Sequence, residues 1–261
     1  MAATTGGAAT TAGAGVRHTQ GAPCWVSLMT TDLDAAQDFY ARLFSWDYTP
    51  GPLRLGPYAR ATVDGRPVAG IGVVDARLGF PVDWVTYFAA DSADEVAGRI
   101  RDCGGTVALG PLDSDAAGRL VVASDPDGAV FGVWEGHAHL GWAVRDEPGT
   151  AAWSELATLD VARAVEFYTG VFGSTEVHRF DGAGERTLLA GADGIAVAGV
   201  HRAGPDEAPA WRVHFAVSDL AEAERTARGL GARSDVPSCA GSLSLRDPHG
   251  GPFALVQLQR S

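Results

Sequence analysis

The chain has 261 residues, of which 46% are hydrophobic, so it is long enough for one large domain or two of ordinary size with a real core. Its 32 acidic and 20 basic residues give a net charge of −12. An acidic chain without a basic run is a poor nucleic-acid binder, because phosphate contacts need clustered positive charge. No window has the continuous apolar length of a membrane helix. We therefore expect neither a nucleic-acid nor a membrane partner.

The N-terminal residues and the cysteines bear on localisation. Residues 1–20 are rich in Ala, Thr and Gly and have neither a cationic start nor a continuous apolar run. They predict a disordered tail rather than a secretory signal. Cys24, Cys103 and Cys239 are far apart and odd in number, which argues against a disulfide framework. Together these features predict a cytoplasmic protein.

A strand, a helix and a hairpin are predicted after the tail. Residues 25–31 alternate as a strand does, and Asp32 can accept a hydrogen bond from the first amides of a helix. Apolar residues then recur at helical spacing from Leu33 to Leu43. A later Asp-Gly pair marks a tight turn between two strands. The predicted strands of this unit are 25–31, 57–63 and 68–74.

The same order of elements restarts within the first half. A strand over 84–89 precedes a helix over 92–103, which a Gly-Gly pair ends. Two strands near 119–124 and 129–135 follow, and an Asp-Pro-Asp-Gly sequence turns the chain between them.

The second half repeats the first. The stretch that starts at Trp153 matches the one that starts at Trp25. Both contain a Phe-Tyr pair at the same position, which ends at Tyr40 in the first half and at Tyr168 in the second. The Asp-Pro-x-Gly turn also recurs. The predicted elements are a strand from Trp153, helices over 161–172 and 219–230, a strand region over 186–200, a strand over 211–217 and final strands that turn at 247–250.

Internal repetition of this kind decides the fold class. We predict an α+β protein of four β-α-β-β-β modules, two in each half. The predicted first domain covers 21–137, a connector covers 138–150, and the second domain covers 151–261.

A strand followed by Asp-Leu-x-x-Ala-x-x-Phe-Tyr, with a late Asp-Pro-x-Gly-x-x-Phe strand, resembles the vicinal oxygen chelate superfamily. That superfamily contains glyoxalase I, extradiol dioxygenases and the bleomycin-resistance proteins. The resemblance covers about residues 22–137 and 150–259. It implies two tandem glyoxalase/dioxygenase-like domains whose sheets curl into open cups. Whether each cup forms within a half or across the two halves is left open.

The resemblance also implies metal-ligand positions, one on the first strand of each module and one near the end of its last strand. The superfamily places His, Gln or Glu there to hold a divalent metal. In this sequence those positions carry Trp, Arg, Val, Gly or Ala instead. Trp offers only an N–H donor, Arg is a permanent cation, and Val, Gly and Ala have no side-chain atom that could bind a metal. A shift of two residues supplies Glu155 and His214 but leaves the set incomplete. The six positions carry Trp25, Val85, Gly132, Trp153, Arg212 and Ala254. We expect a member that uses neither this metal nor another cofactor.

Strand alternation then predicts which side chains line the cups, since positions two apart share a face. The first cup is mainly aromatic and suits a hydrophobic or aromatic small molecule. The second holds a carboxylate, a guanidinium and an imidazole, which could move a proton or bind an anionic group. The candidate ligand-binding residues are Trp25, Ser27, Tyr87, Trp134 and Trp153, and the candidate catalytic residues are Glu155, Arg212 and His214.

Each candidate also has a structural interpretation. Trp25 and Trp153 could only fill the space of a lost metal and substrate. Glu155 and Arg212 could form a structural ion pair, and His214 could be a satisfied core histidine.

Three functions follow from these alternatives. The first is a metal-independent protein that binds a hydrophobic or aromatic small molecule, in a sequestering or accessory role that suits secondary metabolism. The second is a metal-free tailoring enzyme, of isomerase, cyclase or hydroxylase type, that uses Glu155, Arg212 and His214. The third is a metal-dependent lyase or dioxygenase, which the missing ligands disfavour. The repeat lets one chain stand in for a dimer of shorter relatives, so we expect a monomer or a homodimer.

Overall fold

The chain forms two curled sheets with four helices in this computed structural model. Most of the predicted tail and Cys239 lie outside the described residues. The described residues are 17–52, 56–78, 80–173, 175–181, 184–191, 194–235 and 241–258.

The first half contains two modules, each with one helix after its first strand and three strands after the helix. A short 3-10 helix over Ala76–Leu78 joins the two modules. The elements are β1 (Pro23–Thr30), α1 (Leu33–Phe44), β2 (Asp47–Pro50), β3 (Tyr58–Val63), β4 (Arg66–Val73), β5 (Asp83–Ala89), α2 (Ala93–Asp102), β6 (Thr106–Ser114), β7 (Gly118–Ser124) and β8 (Val130–Gly136).

The second half has the same order of elements. They are β9 (Ala151–Thr158), α3 (Val161–Phe172), β10 (Thr175–Asp181), β11 (Gly184–Ala190), β12 (Ala196–Arg202), β13 (Ala210–Val217), α4 (Leu220–Gly229), β14 (Arg233–Ser234), β15 (Ser242–Arg246) and β16 (Pro252–Gln257).

Each half builds one eight-stranded sheet from its own two modules. The first sheet has the order β2-β3-β4-β1-β5-β8-β7-β6, and the second has the equivalent order β10-β11-β12-β9-β13-β16-β15-β14. The modules join through one antiparallel pair, β1 with β5 and β9 with β13, and the neighbouring β1–β4 and β5–β8 pairs are parallel. The cups therefore form within each half and not across the halves.

Side-chain caps explain where the helices begin. The carboxylate of Asp32 accepts from the Ala35 amide at 3.0 Å, and Asp160 accepts from Arg163 at 3.2 Å in the repeated position. Ser92 and Asp219 cap the other two helices in the same way. Each cap satisfies a backbone donor that has no partner within the helix. The sequence prediction of helices after these residues is confirmed.

The two halves share their cores. In one core, Phe215 of the second half lies 5.0 Å, between ring centroids, from both Trp84 and Phe44 of the first half. In the other, Trp211 lies 4.9 Å from Phe88. These rings belong to the helix-bearing faces of both sheets. Because those faces pack together, the cup faces lie on opposite outer sides of the molecule.

The predicted α+β fold with four modules is confirmed, although not every strand was predicted. The alternation pattern does not predict β6, because most of its side chains are exposed and it contains Gly110 and Pro111. None of the helices among the described residues is long and apolar enough to span a bilayer. Cys24 and Cys103 are free thiols, and Cys24 is buried.

Candidate functional site

A cavity of about 700 Å³ occupies the cup of the first half. Its wall contains four of the side chains that strand alternation predicts to face inward: Trp25, Ser27, Tyr87 and Trp134. Apolar and aromatic side chains make up most of the remaining wall, including Met29, Val85, Leu120 and Val122. The volume is that of sites which enclose drug-sized molecules.

Tyr58 organises the polar end of the cavity wall. Trp25 Nε1 donates to the Tyr58 hydroxyl at 2.9 Å, and the same hydroxyl lies 2.7 Å from Ser27 Oγ. Burial raises the pKa of Tyr58, against the effect of these two hydrogen bonds and of the nearby Arg60 charge. The phenol is therefore neutral and acts as a hydrogen-bonding bridge between two strands.

Two glycines of the sheet leave room for the rings of Tyr58 and Tyr87. Gly70 lies directly across from Ser27 and from Arg60, and a Cβ at this position would collide with the Tyr58 hydroxyl. Gly132 lies opposite Tyr87 on β8, and a Cβ there would collide with the Tyr87 ring. Both glycines are needed for close approach rather than for a turn. At Gly132, where the superfamily pattern places a metal ligand, the adjacent space is filled by an aromatic ring.

The connector between the halves contributes His139 to the cavity wall. Its ring stands edge-on to Trp25, with 4.5 Å between ring centroids, and its carbonyl accepts from Trp134 Nε1 at 2.8 Å. Burial lowers the pKa of His139 to about 4, with a further contribution from the Arg60 charge. The imidazole is therefore neutral near pH 7.

Apolar side chains are also exposed around this cavity. Among the described residues, four of the six exposed large hydrophobic side chains line it, namely Phe80, Leu109, Leu112 and Val130. Phe80 is 63% exposed. Scattered single apolar residues need no explanation, but a group at one cavity is typical of a ligand-binding site.

Asp83 supplies the acidic group of the wall, on β5. Burial raises its pKa to about 6, although the Trp84 amide and the charges of Arg212 and Arg246 oppose the shift. A carboxyl group in this condition is partly protonated near neutral pH.

The second cup carries a buried polar cluster. Register places Glu155 opposite Arg212 and Trp153 opposite His214, so all four side chains share one face of the sheet. Glu155 is 2% exposed, His214 1% and Arg212 9%. The predicted catalytic residues therefore lie next to one another, and their role stays a prediction.

Glu155 and Arg212 each contact a further residue in this cluster. Trp153 Nε1 donates to Glu155 at 2.8 Å, and Arg212 lies 3.2 Å from the buried carboxylate of Asp235. Burial lowers the pKa of Arg212, against the attraction of Asp235 and Asp83. Asp235 was not among the candidate residues, because it lies in a short edge segment without a clear sequence pattern.

His201 joins Glu155 to a second carboxylate. Its Nδ1 lies 3.5 Å from Glu155, and its Nε2 lies 3.1 Å from Glu207. Burial alone would lower the pKa of His201, but the neighbouring carboxylates of Glu155 and Glu207 raise it overall. The arrangement favours an imidazolium between two carboxylates, which can hold or release a proton.

The metal-ligand positions implied by the resemblance do not fit a metal. They carry two indoles, a guanidinium and three residues without donor atoms, and Gly132 is covered by the Tyr87 ring. Within the part of the chain that the structure describes, no three His, Cys, Asp or Glu side chains are grouped so that they could hold a metal ion.

Comparison with known proteins agrees with this fold. The model of the glyoxalase-like domain family matches residues 138–256. CFP32 of Mycobacterium tuberculosis, which carries a glyoxylase name, is 35% identical over 250 residues, covering 92% of this chain and 96% of the relative. The anthracycline biosynthesis protein DnrV of Streptomyces peucetius is 34% identical over 275 residues, covering 93% of this chain and 95% of the relative.

A solved structure extends the comparison to the fold. The Mn(II)-bound glyoxalase of Novosphingobium aromaticivorans superposes with a TM-score of 0.60 at 19% identity, over 92% of this chain and 83% of that chain. Two tandem cups built from four repeated modules define the class of protein. The chain belongs to the glyoxalase-like family of the vicinal oxygen chelate superfamily. The resemblance inferred from the sequence is confirmed.

Proposed function

We propose that this protein binds a hydrophobic, aromatic small molecule in the cup of the first half, without a metal ion, in a sequestering or accessory role in secondary metabolism. The observation that carries the proposal is the cavity of about 700 Å³ lined by Trp25, Tyr58, Tyr87 and Trp134. Such rings bind flat ligands by stacking and by burial of apolar area.

The nature of one relative supports the choice of ligand class. DnrV is by name an anthracycline biosynthesis protein, and its similarity spans nearly all of both chains. Anthracyclines are planar polycyclic aromatic molecules, the shape that an aromatic cup accommodates. We therefore propose a planar polycyclic ligand of this general type.

Metal independence is part of the proposal. A dioxygenase or lyase of this superfamily needs the metal to hold two vicinal oxygens, and the six equivalent positions here offer no such ligand set. The protein would therefore hold its ligand by contact alone. We also propose that it acts in the cytoplasm, as a monomer or a homodimer.

A titration with 1,4-dihydroxyanthraquinone tests this proposal. The visible fluorescence of the dye is followed as protein is added, and the affinity is compared between wild type and Ala108→Trp, which puts a large ring into the cavity wall without burying a charge. Ala221→Trp, at an exposed position of α4, is the matched control. We expect binding by wild type and the control and strong weakening in Ala108→Trp. Equal affinity in all three proteins would reject the first cup as the site.

Tryptophan quenching supplies an independent check of location. Trp25 and Trp134 lie in the cavity wall, whereas Trp153 lies on the other sheet. If the dye binds in the first cup, it should quench less tryptophan fluorescence in Trp25→Phe than in wild type. In Trp153→Phe the amount of quenching should be kept. The reverse pattern would place the ligand in the second cup.

The second candidate function is metal-free catalysis in the second cup by Glu155, Arg212 and His214. The burial of these three ionisable groups on one sheet face favours it. Glu155→Gln and His214→Gln separate the two functions. A protein that binds its ligand in the first cup would keep its affinity, because neither residue lines that cavity, whereas an enzyme would lose turnover in the second cup and still bind.

A further inference from the structure

Arg60 brings a positive charge to a wall that is otherwise largely apolar. It lies on β3, in the cavity wall beside Tyr58 and His139. No hydrogen bond or ion pair satisfies its guanidinium among the residues that the structure describes. Its strand neighbours across the sheet are Thr49 and Gly70, and neither is acidic.

The acid in the same wall is not the partner of Arg60. Asp83 lies on β5, and β4 and β1 separate that strand from β3 in the sheet. The charges that act on Asp83 are those of Arg212, Arg246 and Asp235, all from the second half. The cavity therefore has a cationic side and a separate acidic side.

A hydrogen-bond chain on the same side of the wall as Arg60 has an available donor. Trp25 can only donate, so its N–H occupies the Tyr58 oxygen as acceptor. The contact between Tyr58 and Ser27 uses the hydrogen of one of the two hydroxyls, so the hydrogen of the other hydroxyl stays available for a further acceptor. The contacts of 2.9 and 2.7 Å hold Trp25, Tyr58 and Ser27 in one hydrogen-bond chain.

His139 adds a further polar group to this wall. Its Nε2 is buried and makes no hydrogen bond within the described structure. A buried polar atom without a partner costs free energy, so its retention in a cavity wall favours a ligand contact.

The second half carries different groups at the equivalent described positions. Gly70 pairs with Ser27 and Arg60, and the equivalent Gly199 pairs with Glu155 and Leu188. The cationic group and hydroxyl of the first cup are thus replaced by an apolar side chain and a carboxylate. The feature belongs to one cup and is not a consequence of the repeated fold.

We propose that the first cup selects an aromatic molecule with an anionic oxygen at one edge, a carboxylate or an ionised phenol, which pairs with Arg60 and accepts a hydrogen bond from the hydroxyl pair of Ser27 and Tyr58. This inference rests on the proposed aromatic ligand and specifies its charge. Arg suits the role because its planar fork matches the two oxygens of a carboxylate.

A matched pair of probes tests the charge requirement. Anthraquinone-2-carboxylate and anthraquinone-2-carboxamide have the same rings and nearly the same shape, but only the first is an anion at pH 7. Calorimetric titration of wild type should show the carboxylate binding at least about tenfold more tightly. The preference should shrink as salt is added, since part of the pairing is solvent-accessible.

Variants assign the preference to one side chain. Arg60→Gln should bind both probes with the affinity that wild type has for the carboxamide, whereas Arg60→Lys should keep part of the preference. Arg42→Gln, an exposed arginine on α1 that pairs with Asp38, is the control and should behave as wild type. Circular dichroism checks that every variant is folded.

The outcomes separate the two proposals. Equal binding of both probes, unchanged in Arg60→Gln, would overturn the anionic ligand and leave the aromatic cup in place. A tenfold preference that survives in Arg60→Gln would also overturn the role of Arg60. Binding of neither probe would overturn both this inference and the proposed function for planar tricyclic ligands.

Discussion

Tyr40 and Asp247 are 207 residues apart in sequence, yet the Tyr40 hydroxyl donates to Asp247 Oδ2 at 3.0 Å in the buried contact between the halves. The repeat reproduces the relationship, since Tyr168 donates to Asp125 at 3.2 Å. Trp84 and Trp211 each donate an indole N–H to the tyrosine oxygen of the same set. The Phe-Tyr motif of each half therefore binds the Asp-Pro-x-Gly turn of the other.

Each aspartate serves two purposes with its two oxygens. Asp247 Oδ1 accepts from the amides of His249 and Gly251, which fixes its own turn, while Oδ2 reaches Tyr40. This division explains why the motif and the turn recur together in the sequence.

Removal of the Tyr40 hydroxyl should destabilise the protein. Tyr40→Phe leaves the Trp84 N–H and one Asp247 oxygen buried without this partner, so we expect a loss of about 1–3 kcal/mol in the free energy of unfolding. Tyr168→Phe should cost a similar amount. Urea denaturation measures both.

Tyr48→Phe is the control for that measurement. The Tyr48 hydroxyl donates to a single backbone carbonyl, that of Gln37, in a partly buried position. Its loss should cost less than the loss at Tyr40. Equal losses in the free energy of unfolding would mean that the Tyr40 hydroxyl contributes no more than an ordinary hydrogen bond to a backbone carbonyl.

A methyl group at Gly70 should disrupt the polar end of the first cup. The new Cβ would collide with the Tyr58 hydroxyl, so the ring must move and its bonds to Trp25 and Ser27 break. We expect Gly70→Ala to weaken ligand binding at least about tenfold by titration.

Gly98→Ala is the matched glycine control. A Cβ at this position of α2 meets nothing within 4 Å, so the change should leave binding unaltered. It should also stabilise the protein by about 0.5–1 kcal/mol, because alanine is the better helix former. A Gly70→Ala variant that binds as well as Gly98→Ala would show that the Tyr58 position is not important.

His139 should make stability fall in mild acid. Its pKa is about 4 in the folded protein, against 6.5 for an exposed histidine. Between pH 6.5 and 4 the unfolded chain binds a proton that the folded protein excludes, so the free energy of unfolding decreases as the pH falls. The contribution is at most about 3 kcal/mol.

His139→Phe isolates this contribution, because phenylalanine keeps a ring beside Trp25 and does not titrate. His18 and Asp83 titrate in both proteins, so the difference between the two pH profiles reports on His139. We expect wild type to lose stability relative to the variant between pH 6.5 and 4. Parallel profiles would contradict a buried neutral imidazole.

The sequence predicts the fold well because its signals are local and repeated. Helix caps such as Asp32 and the alternation around Trp25 and Ser27 depend on neighbouring residues alone. The same alternation, applied to β3, would have placed Tyr58 and Arg60 in the first cup. These two residues were not predicted, because only the central strands were considered.

Other features depend on tertiary structure and have no local signal. His139 reaches the cavity because the connector folds back, with the Trp142 amide donating to the Cys24 carbonyl at 2.8 Å. The pairing of Tyr40 with Asp247 depends on how the two sheets pack. The repeat shows that both motifs matter, but it does not show that they bind across the halves.

The most direct test of ligand binding without a metal is a calorimetric titration of metal-stripped protein with 1,4-dihydroxyanthraquinone, repeated after incubation with Mn(II), Fe(II) or Zn(II) and removal of the excess metal. Elemental analysis of the same samples gives their metal content. We expect one equivalent of dye per chain, with the same affinity before and after each metal and no metal retained. Binding that requires a retained equivalent of metal would contradict it.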